Sequence, residues 1–544
     1  MTTAVMARES SVGARPRAEA IVTRLTRGRR LIVASNRGPV EHVFDDTGRV
    51  RQTPGCGGVS IALSAIARHA PVTWVASAMT DADRVVAANG HDNGSRFERL
   101  VPRLVAPEEE AYKRSYNLIC NRVLWFLQHG QWGCIDWQRS MDEIREGWTK
   151  GYVPVNRAFA HRIVDELGAP DSGRAVMFQD YHLYLAPSHV RSAAPDSVLS
   201  HFVHIPWPST DAWQNLPWEM TRSILDGLLA CDLVGFQTPD SVHNFLITCA
   251  EFVRGATVNF RDGSVALDGH RTIVRDYPIS PDVPSLRTRV ESPTVLLHRM
   301  QLAAGLYPCT IVRVDRMDPA KNILAGFQAF DLLLDANPKL RGQVQFLAFL
   351  VPTRQAVPEY RSYAKRVLGL VQEINQRWGS ATWQPIRVFY EHNYDQALAG
   401  LALYDVLLVN SSSDGMNLVS KEGAIVNKRD GVIVLSRAAG AFRELGHAAL
   451  PIEPGDLAGT ARALAAALAM PAEERRQRAN ALRGAVEAND FSRWLERQLE
   501  DLHNIAEQRA RAWNHNAATE SERGQPFKLV EESLKRAIGT KGGS

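Results

Sequence analysis

The sequence predicts an α/β protein built from two doubly wound domains. Its 544 residues suffice for two large cores, because single domains usually hold ~100 to 250 residues. With 45% hydrophobic and 22% charged residues, the composition is that of an ordinary globular protein, not of a disordered or fibrous one. Short apolar runs alternate with helix-length segments in both halves, which indicates parallel sheets covered on both faces.

Five largely apolar runs in each half are the expected strands. The first set is LIVAS (31–35), VTWVAS (72–77), AVMFQD (175–180), SHFVHIP (200–206) and LVGFQT (233–238). The second set is CTIVRV (309–314), VQFLAFLV (344–351), IRVFYE (386–391), VLLVNSS (406–412) and GVIVLS (431–436). Their length and β-branched content are typical of strands buried on both faces. We therefore expect two Rossmann-like sheets.

A proline-rich stretch over 277–295 separates the two sets and predicts a domain boundary near residue 285. The predicted units are a disordered basic extension (1–28), an N-terminal domain (29–285), a C-terminal domain (286–475), C-terminal helices that pack back on the N-terminal domain (476–510) and a flexible tail (511–544).

Charge, hydropathy and cysteine pattern exclude several classes of protein. The net charge is +4, and the first 30 residues hold seven arginines against two glutamates, so the rest of the chain has no basic excess for nucleic acid. No apolar run approaches the ~18 residues of a membrane span. The six cysteines form no CxxC pair, which favours a reducing, cytoplasmic setting without structural zinc.

Polar residues that follow the strands are the candidate site, because ligands of open parallel sheets bind beyond the carboxyl ends of the strands. Asp180 and His204 follow strands of the first half, and Arg316 and Lys321 follow CTIVRV. The two cations suit phosphate groups, Arg as a fork and Lys as a point charge. The alternatives are surface charges and, for His204, a histidine satisfied within the core.

Two loops have the composition of ligand cradles. Gly57 and Gly58 stand before a helical pattern and let backbone amides approach a phosphate or sugar, although a flexible turn is the alternative. The segment from Asp414 to Leu418 lies between a strand and a helix, with Glu422 about two turns further along. Such a helix start can hold a pyrophosphate while Glu422 accepts from ribose hydroxyls; an Asp N-cap with an exposed Glu is the alternative.

These residues stand within motifs by which the chain resembles the trehalose-6-phosphate synthase family of retaining GT-B glycosyltransferases. The motifs, between about 31 and 505, are SNRGPV, GCGG, YNLICNRVLW, DYHLYLAP, HIPWP, GFQT, YPIS, VDRMDPAKN, PTR and NSSSDGMNLVSKE. The resemblance implies a GT-B fold, in which two Rossmann-like domains face each other across a cleft. It also implies transfer of glucose from GDP-glucose or UDP-glucose to glucose 6-phosphate. The donor is a substrate, and neither a cofactor nor a metal is expected; the Asp81-Ala82-Asp83 match to a metal-binding pattern is discounted.

The same resemblance implies a role for each matching position. Acceptor contacts are implied for Arg37, Tyr116, Trp125 and Arg354, and contacts to sugar hydroxyls near the reaction centre for Asp180. On the donor side, Arg316 and Lys321 match the diphosphate clamp, and Glu422 matches the ribose ligand. The donor cradle comprises Asp414, Gly415, Met416, Asn417, Leu418 and Val419. The side chain of His204 matches one that touches the donor sugar, and its carbonyl one that faces the anomeric carbon.

No pair of carboxylates suited to double displacement is evident, so front-face substitution is the expected mechanism. Ser77, Asn322 and Ser413 depart from the family's usual Trp, Gly and Arg. The chain is also similar to a pseudo-glycosyltransferase branch that joins a GDP-cyclitol to an amino-cyclitol phosphate, which is the main alternative. That likeness favours GDP over UDP, with Glu391 as the hypothetical guanine contact. A catalytically silent sugar-phosphate sensor is a second alternative, and a homo-oligomer is compatible with the sequence.

Overall fold

Two largely parallel sheets dominate the computed structural model, which describes residues 14–26, 30–54, 71–89, 99–168, 175–509 and 511. The first half of the chain contains β1 Leu31–Ser35, β2 Val40–Phe44, β3 Val50–Pro54, β4 Val72–Ser77, β5 Leu100–Val105, β6 Ala175–Gln179, β7 Val198–Phe202, β8 Leu233–Phe236, β9 Thr257–Asn259, β10 Ser264–Leu267 and β11 His270–Asp276. The second half contains β12 Cys309–Arg316, β13 Val344–Val351, β14 Ile386–Phe389, β15 Val406–Val409, β16 Val432–Ser436 and β17 Leu450–Ile452.

The first sheet has the order β5-β4-β1-β6-β7-β8-β11-β10-β9. All of its pairs are parallel except those of β10, which runs antiparallel to both neighbours. The second sheet is parallel throughout, with the order β14-β13-β12-β15-β16-β17. Strands β2 and β3 form a separate antiparallel hairpin. The expectation of two doubly wound sheets is confirmed, and each of the ten apolar runs contains a strand.

Helices cover both sheets. In the first half they are Ala14–Thr26, Asp81–Ala88, Glu109–Lys113, Trp125–Gln128, Trp137–Gly147, Val153–Leu167, Ala186–Ala193, Thr210–Trp213, Trp218–Leu229 and Pro239–Phe252, with π-helical turns at Arg114–Leu124 and Trp148–Tyr152 and 3₁₀ turns at Trp132–Cys134 and Tyr181–Leu183. In the second half they are Val283–Val290, Pro293–Ala303, Ile323–Ala336, Pro358–Trp378, Tyr394–Leu401, Leu418–Val426, Phe442–Leu445, Leu457–Ala469, Ala472–Ala488 and residues 491–509, with 3₁₀ turns at Pro319–Lys321 and Pro338–Leu340.

The helix Ala14–Thr26 departs from the expectation of disorder over residues 1–28. Ile21, Val22 and Leu25 are buried in the same apolar cluster as β1 and β4. Their spacing places them on one face of a helix, which the basic composition of the segment had obscured.

The last described helix, residues 491–509, packs on the first sheet. Trp494 donates its indole N–H to the carbonyl of Tyr277 at 3.1 Å, and its ring meets Phe202 edge-on at 5.3 Å. Arg509 forms an ion pair with the buried Asp232 at 2.7 Å. One buried apolar cluster includes Val33 and Trp74 of the first sheet and residues of the second, so the two sheets share a core.

Within the described part of the chain, every helix is too short or too polar to cross a lipid bilayer.

Candidate active site between the two sheets

The carboxyl ends of strands from the two sheets meet across a cleft, and hydrogen bonds cross it. Trp125 donates its indole N–H to Asp318 at 3.3 Å, and Arg354 donates to the hydroxyl of Tyr181 at 3.0 Å. Parallel strands direct the loops at their carboxyl ends to one edge of each sheet. The predicted site residues that the structure describes therefore converge from both halves.

Asp180 follows β6 with a backbone φ of +69°, a conformation that is costly for a residue with a side chain. One carboxylate oxygen accepts the amide N–H of His204 at 3.2 Å. Burial raises the pKa of Asp180 to about 7, so a proton is easily held there near neutrality. The strained backbone points to a functional position.

His204 follows β7 and its ring is held between two glutamines. Nε2 lies 2.9 Å from the side-chain oxygen of Gln179, and Nδ1 lies 3.3 Å from the side-chain nitrogen of Gln237. The only consistent assignment has Nε2 donating and Nδ1 accepting, which is a neutral imidazole. Burial lowers the pKa of His204 to about 3. Gln237 in turn accepts the amide N–H of Ile279 at 3.0 Å, which ties the ring to the segment that leaves the first sheet.

The carbonyl of His204 lies directly against Gly415, so close that a Cβ at Gly415 would come within 2.2 Å of the carbonyl oxygen. On the other side of the same loop, a Cβ at Gly440 would lie 2.0 Å from the oxygen of Gly415. Hydrogen bonds from the amide of Gly440 to Asp414 and from that of Ala441 to Met416 fix this stacking, at 3.0 and 2.7 Å. The cradle loop therefore packs between the backbones of His204 and Gly440, and both contacts are so close that positions 415 and 440 must be glycine.

Lys321 and Asp414 form a buried ion pair at the end of β15. The same carboxylate accepts Asn417 Nδ2 at 3.0 Å and Ser411 Oγ at 3.2 Å. Burial alone would raise the pKa of Asp414, but Lys321 and the hydrogen bond from Asn417 together help to bring the pKa below its usual value. Asp414 is therefore ionised, with acceptor capacity for hydroxyls.

The helix Leu418–Val426 begins at this loop. Its N-cap is Asn417, with φ of +80°, whose side chain accepts the amide N–H of Ser420 at 3.0 Å. The alternative that placed an Asp at the N-cap is therefore wrong. The amides of Leu418 and Val419 have no acceptor within the helix, because first-turn donors never do, and they suit an anion.

Glu422 lies one turn inside this helix and accepts the hydroxyl of Tyr394 at 2.9 Å. Burial raises the pKa of Glu422 to about 7. Its second oxygen leaves an acceptor for a ligand hydroxyl.

Arg316, Arg354 and Trp125 surround Asp318, a fully buried carboxylate that the sequence analysis did not single out. The guanidinium carbons of Arg354 and Arg316 lie 3.6 and 4.7 Å from the Trp125 ring centroid. Arg354 also pairs with Asp318 at 3.2 Å, and Arg316 lies 3.6 Å from it. Burial would raise the pKa of Asp318, but the two arginines hold it below its usual value. Arg316, with its side chain 40% exposed, keeps donors free for a ligand.

Arg37 and Tyr116 lie together at the end of β1, joined by a 3.4 Å hydrogen bond between Arg37 Nη2 and the tyrosine hydroxyl. Burial would raise the pKa of Tyr116, but Arg37 and Arg354 lower it overall. The Tyr116 ring stacks on Tyr112 at 5.6 Å. Cationic and aromatic groups thus lie together on the N-terminal side of the cleft, as recognition of a sugar phosphate requires.

The structure shows the contacts made at three positions where the sequence departs from the family pattern. Asn322 has φ of +53°, which Asn tolerates almost as Gly does, and its side chain donates to the Pro454 carbonyl at 2.9 Å. Ser77 donates to the side chain of Asn36 at 3.0 Å. Ser413 lines a cavity between the two halves.

Gly57 and Gly58 lie outside the described residues. Glu391 is exposed beyond β14. Asp83, from the discounted metal pattern, is buried and accepts three backbone amides and the ring of His42. In the part of the chain that the structure describes, no group of three or more His, Cys, Asp or Glu side chains could hold a metal ion.

Sequence reasoning missed four residues that contact the predicted site residues and hold them in position. They are Gln179, Gln237, Asp318 and Gly440. Gln179 and Gln237 lie 25 and 33 positions from His204, so no local spacing connects them. Gln179 and Gln237 do end apolar runs at the edge where ligands bind, and that placement is the signal that could have found them.

Comparison with known proteins gives one family. The family model described as Glycosyltransferase family 20 matches residues 29–504. A bifunctional trehalose-6-phosphate synthase/phosphatase of Thermoproteus tenax is 33% identical over 86% of this chain, which spans only 62% of that protein's length. The UDP-forming alpha,alpha-trehalose-phosphate synthase of Schizosaccharomyces pombe is 31% identical, with 88% of this chain and 91% of that protein covered. A validamine 7-phosphate valienyltransferase of Streptomyces hygroscopicus subsp. jinggangensis is 29% identical, with 87% and 94% covered.

Two solved structures have the same architecture. A UDP-forming alpha,alpha-trehalose-phosphate synthase from Burkholderia xenovorans in complex with glucose-6-phosphate has a TM-score of 0.73 and 26% identity, covering 87% of this chain and 100% of that one. An E. coli structure, described as trehalose-6-phosphate bound with UDP-2-fluoro glucose, has a TM-score of 0.74 and 25% identity, covering 87% and 99%.

Proposed function

From the premise that the chain belongs to glycosyltransferase family 20, we propose that it makes trehalose 6-phosphate from glucose 6-phosphate and a nucleoside diphosphate glucose. The observation that carries the proposal is the convergence of two sets of residues. Lys321, Asp414 and the start of the helix Leu418–Val426 suit a sugar diphosphate, and Arg37, Tyr116 and Arg354 suit a sugar phosphate opposite it.

The proposed reaction is a front-face substitution that retains the configuration of the donor sugar. The bond from the anomeric carbon to the leaving diphosphate breaks as the bond to the acceptor hydroxyl oxygen forms on the same face. The acceptor proton passes to the leaving phosphate oxygen. Arg316 and Lys321 stabilise the charge that grows on this phosphate, and each such donor contributes ~3 to 4 kcal/mol in a closed cleft.

His204 contributes through its main chain and its neutral ring in this proposal. Its carbonyl, which lies against Gly415, faces the reacting carbon. Both ring nitrogens already have glutamine partners, so contact between the ring and the donor sugar requires that Nε2 leave Gln179.

The donor base is the finer part of the proposal, and we favour GDP-glucose, with Glu391 as the contact to guanine. The exposed carboxylate of Glu391 suits the N1-H and amino group of guanine. UDP-glucose is the alternative donor that an experiment must distinguish from GDP-glucose, because the S. pombe relative is named as UDP-forming.

A second candidate is transfer from a GDP-cyclitol to an amino-cyclitol phosphate. The observation that favours it is the 29% identity to the validamine 7-phosphate valienyltransferase over 486 residues. Both reactions need a nucleotide cradle and a sugar-phosphate-like acceptor, so fold alone does not separate them.

The test is to incubate the purified chain with glucose 6-phosphate and either GDP-glucose or UDP-glucose, and to follow nucleoside diphosphate release and the sugar product. Formation of α,α-trehalose 6-phosphate supports the synthase, and the faster donor identifies the base. Turnover only with a GDP-cyclitol and an amino-cyclitol phosphate replaces the first candidate with the second. Absence of turnover with tight nucleotide binding favours the silent sensor.

A further inference from the structure

A cavity of about 470 Å³ lies between the two halves. Among the described residues that line it, Asp414 is the one predicted from the sequence, and Gly440 packs against the donor cradle. Its size falls within the ~300 to 1,000 Å³ usual for small-ligand sites. One wall comes from residues 128–132 and the start of the helix Pro239–Phe252; the other comes from Ser412 to Asp414 and from residues 437–443. The donor and acceptor roles above leave this cavity unassigned.

The two walls are joined by cross-cleft contacts. Gln131 donates its amide to Ser412 at 3.0 Å, and Arg443 forms an ion pair with Asp240. Because the walls belong to different halves of the chain, a ligand in the cavity would contact both halves.

Gln128 supplies an unused donor at the cavity. The residue is 1% exposed, and its side-chain oxygen accepts the hydroxyl of Tyr184 at 2.9 Å. Its side-chain nitrogen has no hydrogen-bond partner among the described residues. A buried amide donor without a partner costs free energy, which a ligand oxygen would recover.

The charges at the cavity favour an anion that also carries hydroxyl groups. Arg437 and Arg443 are 52% and 48% exposed, and each has one carboxylate partner among the described residues, so donors of each guanidinium are left for a ligand. The N-terminus of the helix Pro239–Phe252 adds partial positive charge from the opposite wall. The carboxylates of Asp240 and Asp414 accept from hydroxyls.

We propose that this cavity is a second binding site, which adjoins the donor cradle at Asp414 and lies apart from the acceptor position, and that it takes a sugar phosphate. Arg437 and Arg443 hold the phosphate, and Gln128 donates to an oxygen of the ligand. The inference rests on the proposed function only for the choice of glucose 6-phosphate as probe.

The test is calorimetric titration of the full chain with glucose 6-phosphate alone. We expect two equivalents per chain for the wild type. The double variant Arg437→Gln/Arg443→Gln should lose the equivalent bound in the cavity, and Arg354→Ala should lose the equivalent bound at the acceptor position. Gln128→Leu should weaken binding in the cavity roughly tenfold, the effect of one lost hydrogen bond. Arg377→Gln, a 52% exposed arginine paired with Asp331, is the matched control and leaves both.

The second site is overturned if the wild type binds no equivalent, if it binds one that the double arginine variant retains, or if that variant still binds two. Two equivalents that survive Arg354→Ala contradict the acceptor assignment of the proposed function instead, and leave the second site standing. The two failures are therefore distinguishable.

Discussion

Arg316 ends β12 and Lys321 ends the 3₁₀ turn that follows it, but the two lie against different partners, Arg316 near Trp125 and Lys321 on Asp414. If both stabilise the leaving phosphate, Arg316→Ala and Lys321→Ala each lower kcat by ~100 to 1000-fold. Lys150→Ala, which removes a 65% exposed lysine from a surface pair, is the control and should leave the rate unchanged. Steady-state kinetics with the preferred donor measure these effects. An Arg316→Ala variant that turns over at the wild-type rate would contradict the role of Arg316 in stabilising the leaving phosphate.

The neutral state of His204 depends on Gln237, which donates to Nδ1. In Gln237→Glu a carboxylate replaces this donor, so Nδ1 acquires a proton and the pKa of His204 rises. An imidazolium beside a glucosyl group that gains positive charge in the transition state is unfavourable, so kcat should fall as pH decreases. Gln237→Met cannot charge the ring and serves as the comparison. Equal pH profiles for the two variants would show that the charge of His204 is irrelevant.

Among the elements, the stacked loops at Gly415 and Gly440 are the most sensitive to added volume. Gly440→Ala places a Cβ 2.0 Å from the oxygen of Gly415, so the cradle loop must shift; we expect a loss of ~1 to 3 kcal/mol of stability and weaker nucleotide binding. Gly484→Ala, within the helix Ala472–Ala488 and with open space around it, should instead stabilise by ~0.5 to 1 kcal/mol. Urea unfolding and nucleotide titration of both variants measure this, and equal effects refute the packing argument.

Elements with a continuous apolar run could be predicted from the sequence, and elements with a mixed surface could not. All ten runs contain strands because burial on both faces leaves an unbroken signal, as in β13. Strand β9 is three partly exposed residues at a sheet edge, and the hairpin of β2 and β3 alternates buried and exposed positions only briefly. Site residues at strand ends, such as Asp180, could be placed by topology, whereas Gln237 and Gly440 acquire their roles only through contacts between distant segments.

For the molecule as a whole, buried ionisable groups in the cleft set the pH dependence of stability. Burial lowers the pKa of four fully buried histidines, His201 and His204 to about 3, His129 to about 4, and His182 well below its usual value. Burial also lowers the pKa of the partly buried His189 and raises that of Asp315, two shifts whose effects on stability oppose each other. Burial raises the pKa of Asp180 and Glu422 to about 7. Below a pH of about 6.5, the pKa of histidine in the unfolded chain, the unfolded chain binds protons that the buried histidines of the folded chain do not. The free energy of unfolding therefore decreases as the pH falls. The two carboxyl groups have the opposite effect, because they stay protonated in the folded chain up to about pH 7. Their contribution to the free energy of unfolding is lost as the pH rises through 7.

The sum predicts a decline in stability below pH 7, because the histidines outweigh the carboxyl groups, and nearly constant stability between pH 7 and 8. Between pH 5 and 6 the net uptake on unfolding is about two protons, so the free energy of unfolding should fall by on the order of 2 kcal/mol per pH unit. His201→Gln removes one of these protons and should lower the slope by about 1.4 kcal/mol per unit, while Asp180→Asn removes a proton that the folded chain holds and should steepen the slope by about as much. Urea unfolding from pH 5 to 8 measures both slopes. An acid slope that His201→Gln leaves unchanged would mean that this histidine is protonated in the folded cleft, against its burial beside the carbonyl of Asp180.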